Sequence, residues 1–276
     1  MGEFRFHRYS KADRKRWNDF VARAKNGHFF FQRDFMEYHA DRFEDFSLIV
    51  LDSNARPVAL LPANRTADTL YSHQGLTFGG FVVDRLMKTE MMLDIFGALR
   101  DFLPDHGVRK VIYKPVPHIH HIRPAEEDLY ALWRMGAKLT QRLVSAAIPL
   151  EQPIRYSGGR KWSIRRAKEA GIEIRKSRDI DTFWQILEEV LSTRHAARAV
   201  HSREEMRLLT ERFPDHIRLY LAYLEGEMLC GGLTFVNPAI THLQYVANSE
   251  NGRQIGALDL LIDHLIHEAL EEGQES

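Results

Sequence analysis

Apolar residues fall along this chain in two alternating rhythms. Toward its far end Ile255, Leu258, Ile262, Leu265, Ile266 and Ala269 recur at helical spacing, which predicts an amphipathic helix over Gly256–Glu271. Just before it, His242, Leu243, Gln244, Tyr245 and Val246 form a run rich in aromatic and β-branched residues, which predicts a strand. Asn248 to Gly252 carries the turn residues that stop it. Strand, Gly/Asn-rich turn and helix form an arrangement that aims free backbone N–H groups at an anion.

The first half reads in the same way. Phe4 to Ser10 alternates like a half-buried strand, and Ser10 caps a helix over Lys11 to Lys25 with Trp17, Phe20, Val21 and Ala24 on one face. A second helix is expected over Arg33 to Arg42. Strands over Ser47–Leu51 and Pro57–Pro62 flank a turn at Asp52–Arg56, and a third strand covers Leu70–His73. A helix over Thr89–Leu103, a strand over Val108–Tyr113, a helix over Ala125–Met135 and a strand region over Leu139–Pro149 complete this half.

From Ile172 onward the plan repeats. Met36 and Met206 stand 170 positions apart (206 − 36). At that offset Arg42-Phe43 falls on Arg212-Phe213, Asp45 on Asp215, and Val58 to Leu60 on Met228 to Cys230. With small shifts Tyr71 to Gln74 resembles Thr241 to Gln244. A spacing this long marks a duplicated domain rather than a solenoid. Two unrelated segments could share the rhythm, but not the coinciding polar letters. The boundaries expected are a first domain over 1–150, a basic linker helix over 151–171 and a second domain over 172–276. The second copy is the shorter, which predicts a strand edge in need of cover.

Lys plus Arg equals Asp plus Glu, 38 each, so no global field attracts DNA or a membrane, and any polyanion site is local. One cysteine, Cys230, rules out an intrachain disulfide and suits a reducing compartment, so a cytoplasmic protein is expected. No long uncharged apolar run predicts a membrane span. The exception to the even charge is Arg155 to Arg178, with nine Lys or Arg against Glu169 and Glu173. A solvated helix face is the plain reading of that run; its place at the joint of two similar domains suggests a ligand cleft.

Arg160-Lys-Trp-Ser-Ile-Arg-Arg-Ala-Lys-Glu-Ala-Gly171, Val200-His-Ser202 with Glu205, Arg212-Phe-Pro-Asp215, Gly231-Gly232, His242-Leu-Gln-Tyr245 and Asn248 to Arg253 resemble the FemAB-like branch of the GNAT acyltransferase superfamily. Tyr113 to His121 and Pro124 to Tyr130 carry the likeness into the first half. The resemblance implies an α+β fold of two tandem GNAT-like domains, each a mixed, mostly antiparallel sheet flanked by helices. It implies transfer of an acyl group from acyl-CoA, or an aminoacyl group from aminoacyl-tRNA, to an amine on a cell-envelope precursor or sugar. The acceptor would be a small molecule or lipid-linked. Arg253-Gln-Ile-Gly256-Ala-Leu258 fits the family's phosphate loop except at Leu258, and no Asp-Phe-Gly-type strand follows the last helix.

Such a transfer needs a neutral nucleophile, a polarised carbonyl and a proton relay, but no metal. His201, His242 and Tyr245 are the catalytic candidates; Tyr245 resembles the GNAT tyrosine that returns a proton to a leaving thiolate. By simple alternation His242 and Gln244 share one face of the strand and Tyr245 the other. Plain interior packing is the competing reading for both His242 and Tyr245. Arg253, Gly256 and Ala257, with Arg160, Lys161 and Arg165, are the candidates for donor phosphates. Gln244, Tyr113, Lys114, His118 and Arg123 are those for the acceptor. His118, His120 and His121 lack the separated ligand pairs of a zinc site. A catalytically inactive GNAT-fold module that binds a nucleotide-sugar or lipid-linked precursor is the alternative function; a nucleic-acid binder would need the basic run to join a wider positive surface.

Overall fold

The computed structural model describes residues 4–195 and 197–274. The chain divides into two compact units between Ser145 and Ala146. Both are built of mostly antiparallel sheet and flanking helices.

The first unit contains β1 (Arg5–Arg8), α1 (Arg14–Arg23), α2 (Arg33–Met36), β2 (Glu44–Asp45), β3 (Leu48–Leu51), β4 (Pro57–Leu61), β5 (Asn64–Thr66), β6 (Thr69–Tyr71), β7 (Val82–Val83), α3 (Thr89–Asp105), β8 (Lys110–Ile112) and α4 (Glu127–Arg134). One sheet has the order β1-β3-β4-β7 and is antiparallel throughout. The other has the order β2-β5-β6-β8, and its last pair, β6 with β8, is parallel. Leu48, Ile49 and Val50 are all fully buried, so β3 is covered on both faces and shows no in–out alternation. Trp17 on α1 is also fully buried, and its indole N–H donates to the Phe31 carbonyl at 2.7 Å. A buried indole needs such a partner. The buried Lys25 ammonium pairs with Glu127 of α4 and ties the start of the unit to its end.

Two expectations in this half are corrected. The helix expected over 33–42 is one short turn, α2, followed by a 3-10 turn at Glu37–His39. The buried Arg33 guanidinium is held there by Glu37, Asp45 and Ser47 and lies 3.6 Å over the Tyr9 ring. These tertiary contacts override helix propensity. Residues 139–149 form no strand; Leu139, Leu143 and Val144 are 74%, 80% and 94% exposed. Apolar alternation makes a strand only where a neighbouring edge can pair with it.

The second unit contains α5 (Gly158–Glu169), β9 (Glu173–Ser177), α6 (Ile180–Val190), α7 (Arg203–Arg212), β10 (Ile217–Leu224), β11 (Glu227–Val236), β12 (Thr241–Asn248), α8 (Glu250–Ile255) and α9 (Ala257–Glu271). Its sheet has the order β12-β11-β10-β9, antiparallel throughout. Thus β9, β10 and β11 follow β1, β3 and β4. The place of β12 is taken in the first unit by two short strands, β6 and β7, which pair with successive parts of the β4–β5 arm. The first unit adds β8 beside β6, whereas β12 pairs on one side only among the described residues. Gly231 on β11 allows α6 to lie close, because any Cβ there would run into the Phe183 ring. Cys230 beside it is fully buried, and burial pushes its thiol up to about 12.

Candidate active site

The side chains that converge in the second unit lie along β12. A β-bulge breaks this strand. Leu233 faces Tyr245 and Thr234 faces Leu243, which leaves Gln244 as the extra residue. A bulge re-aims side chains and suspends the in–out alternation. The expectation that His242 and Tyr245 face opposite ways is therefore corrected: with Gln244 as the extra residue, His242 lies opposite Phe235 and Tyr245 opposite Leu233, two ladder steps apart and so on one face.

The Tyr245 hydroxyl lies 2.7 Å from Nδ1 of His201 and accepts the His201 backbone N–H at 3.4 Å. His201 stands at the entrance to α7. There the Ser202 hydroxyl accepts the Glu205 backbone N–H and the Glu205 carboxylate accepts the Ser202 backbone N–H at 2.7 Å, a reciprocal capping box that fixes the chain's approach. The Tyr245 ring meets the fully buried Trp184 of α6 edge-on, with centroids 5.2 Å apart. His201 and Tyr245 thus form a hydrogen-bonded pair at a strand that ends its sheet among the described residues, with Gln244 and His242 beside it on the same strand.

Burial is the largest influence on both titrating members of β12. It pushes the Tyr245 phenol above its ordinary value, against the pull of the His201 and Val200 backbone N–H groups and the Gln244 amide. It pushes the His242 imidazole below its ordinary value, against the opposing pull of the Gln244 amide. At neutral pH the strand therefore offers a neutral imidazole and a protonated phenol, an acceptor and a donor of protons.

The first-half candidates do not converge in the same way. The Tyr113 hydroxyl donates to Asp128 at 2.6 Å and accepts from the Phe81 N–H at 2.6 Å. The Lys114 ammonium donates to the Leu76 carbonyl, and burial pushes its pKa down. Both are tied into the fold of the first unit. His118 and Arg123 are exposed. Among the described residues no cluster of three or more His, Cys, Asp or Glu is placed to hold a metal ion, and no described helix is long and apolar enough to cross a membrane.

The family model of the acetyltransferase (GNAT) domain matches residues 160–276. This stretch is a GNAT domain. Over nearly its whole length the chain is similar in fold to FemX, with a TM-score of 0.70 at 12% identity, covering 98% of this chain and 87% of that one. It is also similar to L-PGS from Bacillus licheniformis (TM-score 0.59, 11% identity, 96% and 74% covered). A third likeness is to a tandem GNAT protein from the clavulanic acid biosynthesis pathway (TM-score 0.52, 14% identity, 99% and 87% covered). At such identities the likeness is one of fold. Together with the domain match it agrees with the FemAB-like, tandem GNAT architecture read from the sequence. Comparison with curated proteins gives no match.

Within the GNAT domain the corner assigned to donor phosphates differs from expectation. The predicted turn at Asn248–Gly252 is largely helix: Ser249 caps α8 by accepting the Gly252 N–H at 3.1 Å. The N–H groups of Arg253 and Gly256 are committed to the carbonyls of Ser249 and Gly252 at 3.1 and 3.0 Å. Gly256 then turns the chain with φ 88° into α9, and its open flank is filled by Ser163 of α5. Arg160 of α5 pairs with Asp259 in the first turn of α9. Ala257 is buried, the Arg253 side chain is exposed, and Lys161 and Arg165 point outward from α5. A nearby basic helix therefore covers the corner and neutralises it with its own carboxylate pairing.

Proposed function

We propose that the chain transfers an acyl or aminoacyl group from acyl-CoA or aminoacyl-tRNA to an amine on a cell-envelope precursor or sugar. The observation that carries this reading is the His201–Tyr245 hydrogen bond at β12 of a GNAT domain, with His242 on the same face of that strand. The amine nitrogen attacks the acyl carbon, and the new C–N bond forms as the bond to sulfur, or to the ribose oxygen of an aminoacyl ester, breaks. The amine gives up one proton and the leaving group gains one. His242, kept neutral by burial, accepts the first; Tyr245, whose proton burial retains, supplies the second and is replenished through His201.

A second reading rests on the covered α8–α9 corner. With Ser163 against Gly256 and Asp259 taken by Arg160, a GNAT-fold module could bind a nucleotide-sugar or lipid-linked precursor without transferring anything. The deciding experiment incubates the full chain with acyl-CoA and with charged tRNA, each beside amine acceptors, and follows product by mass spectrometry. Acylated acceptor from either donor supports transfer. Binding of precursor with neither donor consumed supports the module.

A further inference from the structure

Helix α5 has two faces of different character. Its inner face carries Ile164 and Ala167, both buried. At its two ends Arg160 pairs with Asp259 and Lys168 with Asp263, the latter at 3.2 Å. Asp259 and Asp263 stand one turn apart on α9, so these contacts lay the helix along α9 and use two of its five cations. The outer face carries Lys161, Trp162 and Arg165, with Arg166 at its border. Trp162 is 53% exposed, and the Arg166 guanidinium lies 5.0 Å from its ring centroid. Packing of α5 onto the domain does not require that indole, since the inner face supplies the burial.

We propose that this outer face seats the protein on an anionic lipid surface. An exposed Trp flanked by cations at helical neighbours is suited to a lipid–water boundary, where the ring enters the headgroup layer and the cations meet lipid phosphates. Twelve residues give a contact roughly 18 Å long, enough to lie flat on a bilayer. Stable capture of RNA instead calls for many phosphate contacts spread over a wide positive surface, and the chain's cations and anions balance at 38 each. One indole and three cations make an attachment that is reversible and weakened by salt. Its position in the GNAT domain would bring a lipid-borne acceptor to the protein, but the attachment itself needs no transfer chemistry.

The test is sedimentation of the full chain with vesicles of phosphatidylcholine alone or enriched in phosphatidylglycerol, at low and high salt. The wild-type chain should pellet only with phosphatidylglycerol at low salt. A charge near such a surface is worth about fivefold in affinity, so Lys161→Glu with Arg165→Glu should lower binding by at least about 25-fold. Trp162→Ala should lower it severalfold, and Arg175→Glu, on exposed β9, should leave it unchanged. Thermal melts check folding, and Lys161→Gln with Arg165→Gln replaces the reversal should the latter unfold the domain. Equal pelleting of wild type and variants overturns the proposal. So does failure of the wild type to prefer phosphatidylglycerol, or retention on single-stranded RNA through these same residues without vesicle binding.

Discussion

The hydroxyl of Tyr245 and Nδ1 of His201 lie 2.7 Å apart although 44 residues separate them in the chain. One sits beside a strand bulge and the other at a helix entrance, so two local irregularities bring them together. The phenol has a single proton to give. A phenol proton directed to Nδ1 puts the ring's own proton on Nε2, so the direction of this bond and the tautomer of the ring are set together.

This pairing predicts a specific pattern of losses. Tyr245→Phe keeps the ring against Trp184 and removes only the hydroxyl. Transfer should fall by about 10²- to 10⁴-fold, the usual worth of positioned acid–base help, while the melting temperature barely moves. His201→Ala should fall by a similar factor, and the double variant by little more than either, because the two act as one unit. Turnover measured on all three, with the donor found active, checks this; additive losses would contradict a shared proton path.

A second prediction concerns Asp128. Burial raises its carboxyl from 3.8 to about 6, with Tyr113 as its hydrogen-bond donor. An unfolded chain ionises this group near pH 4, whereas the folded chain holds the proton until about pH 6. Its contribution to stability is therefore fully present below pH 4 and is lost as pH rises through 6, about 3 kcal/mol in all. Asp128→Asn keeps an acceptor for Tyr113 and cannot ionise. Denaturant titrations across this range should show the stability difference, variant minus wild type, climbing between pH 4 and 6 and level above it.

Gly256 gives a third. At φ 88° a side chain costs about 1–2 kcal/mol in backbone strain alone, and Ser163 leaves no room for it. Gly256→Ala should lower the melting temperature. Ser163→Gly, which opens space near the hydroxyl, should recover only part of the loss, since the dihedral penalty persists. Full recovery would mean that crowding, not φ, is the reason for glycine.

Much of the fold was legible because its signals are local. The Ser10 entrance, the Trp17–Phe20–Val21 face and the Asp52 turn each depend on residues within a few positions of one another. The bulge at Gln244 was not legible, since alternation presumes an unbroken ladder and no residue type announces the slip. The candidate site was read as residue types rather than as a constellation: His201, His242, Gln244 and Tyr245 were singled out, but which touch which depends on that slip and on the α7 entrance. The basic stretch read as a solvated face or a ligand cleft because its counterions, Asp259 and Asp263, lie about 95 residues away. Their one-turn spacing, set against Arg160 and Lys168 two turns apart, is the signal that was available.

Cys230 is the only thiol in the chain, fully enclosed on β11, and burial keeps it protonated. A maleimide or aromatic disulfide can reach it only when the sheet of the second unit parts. The rate at which such a reagent marks the untouched protein is thus a clock for that opening, with no label to engineer and no contribution from the first unit.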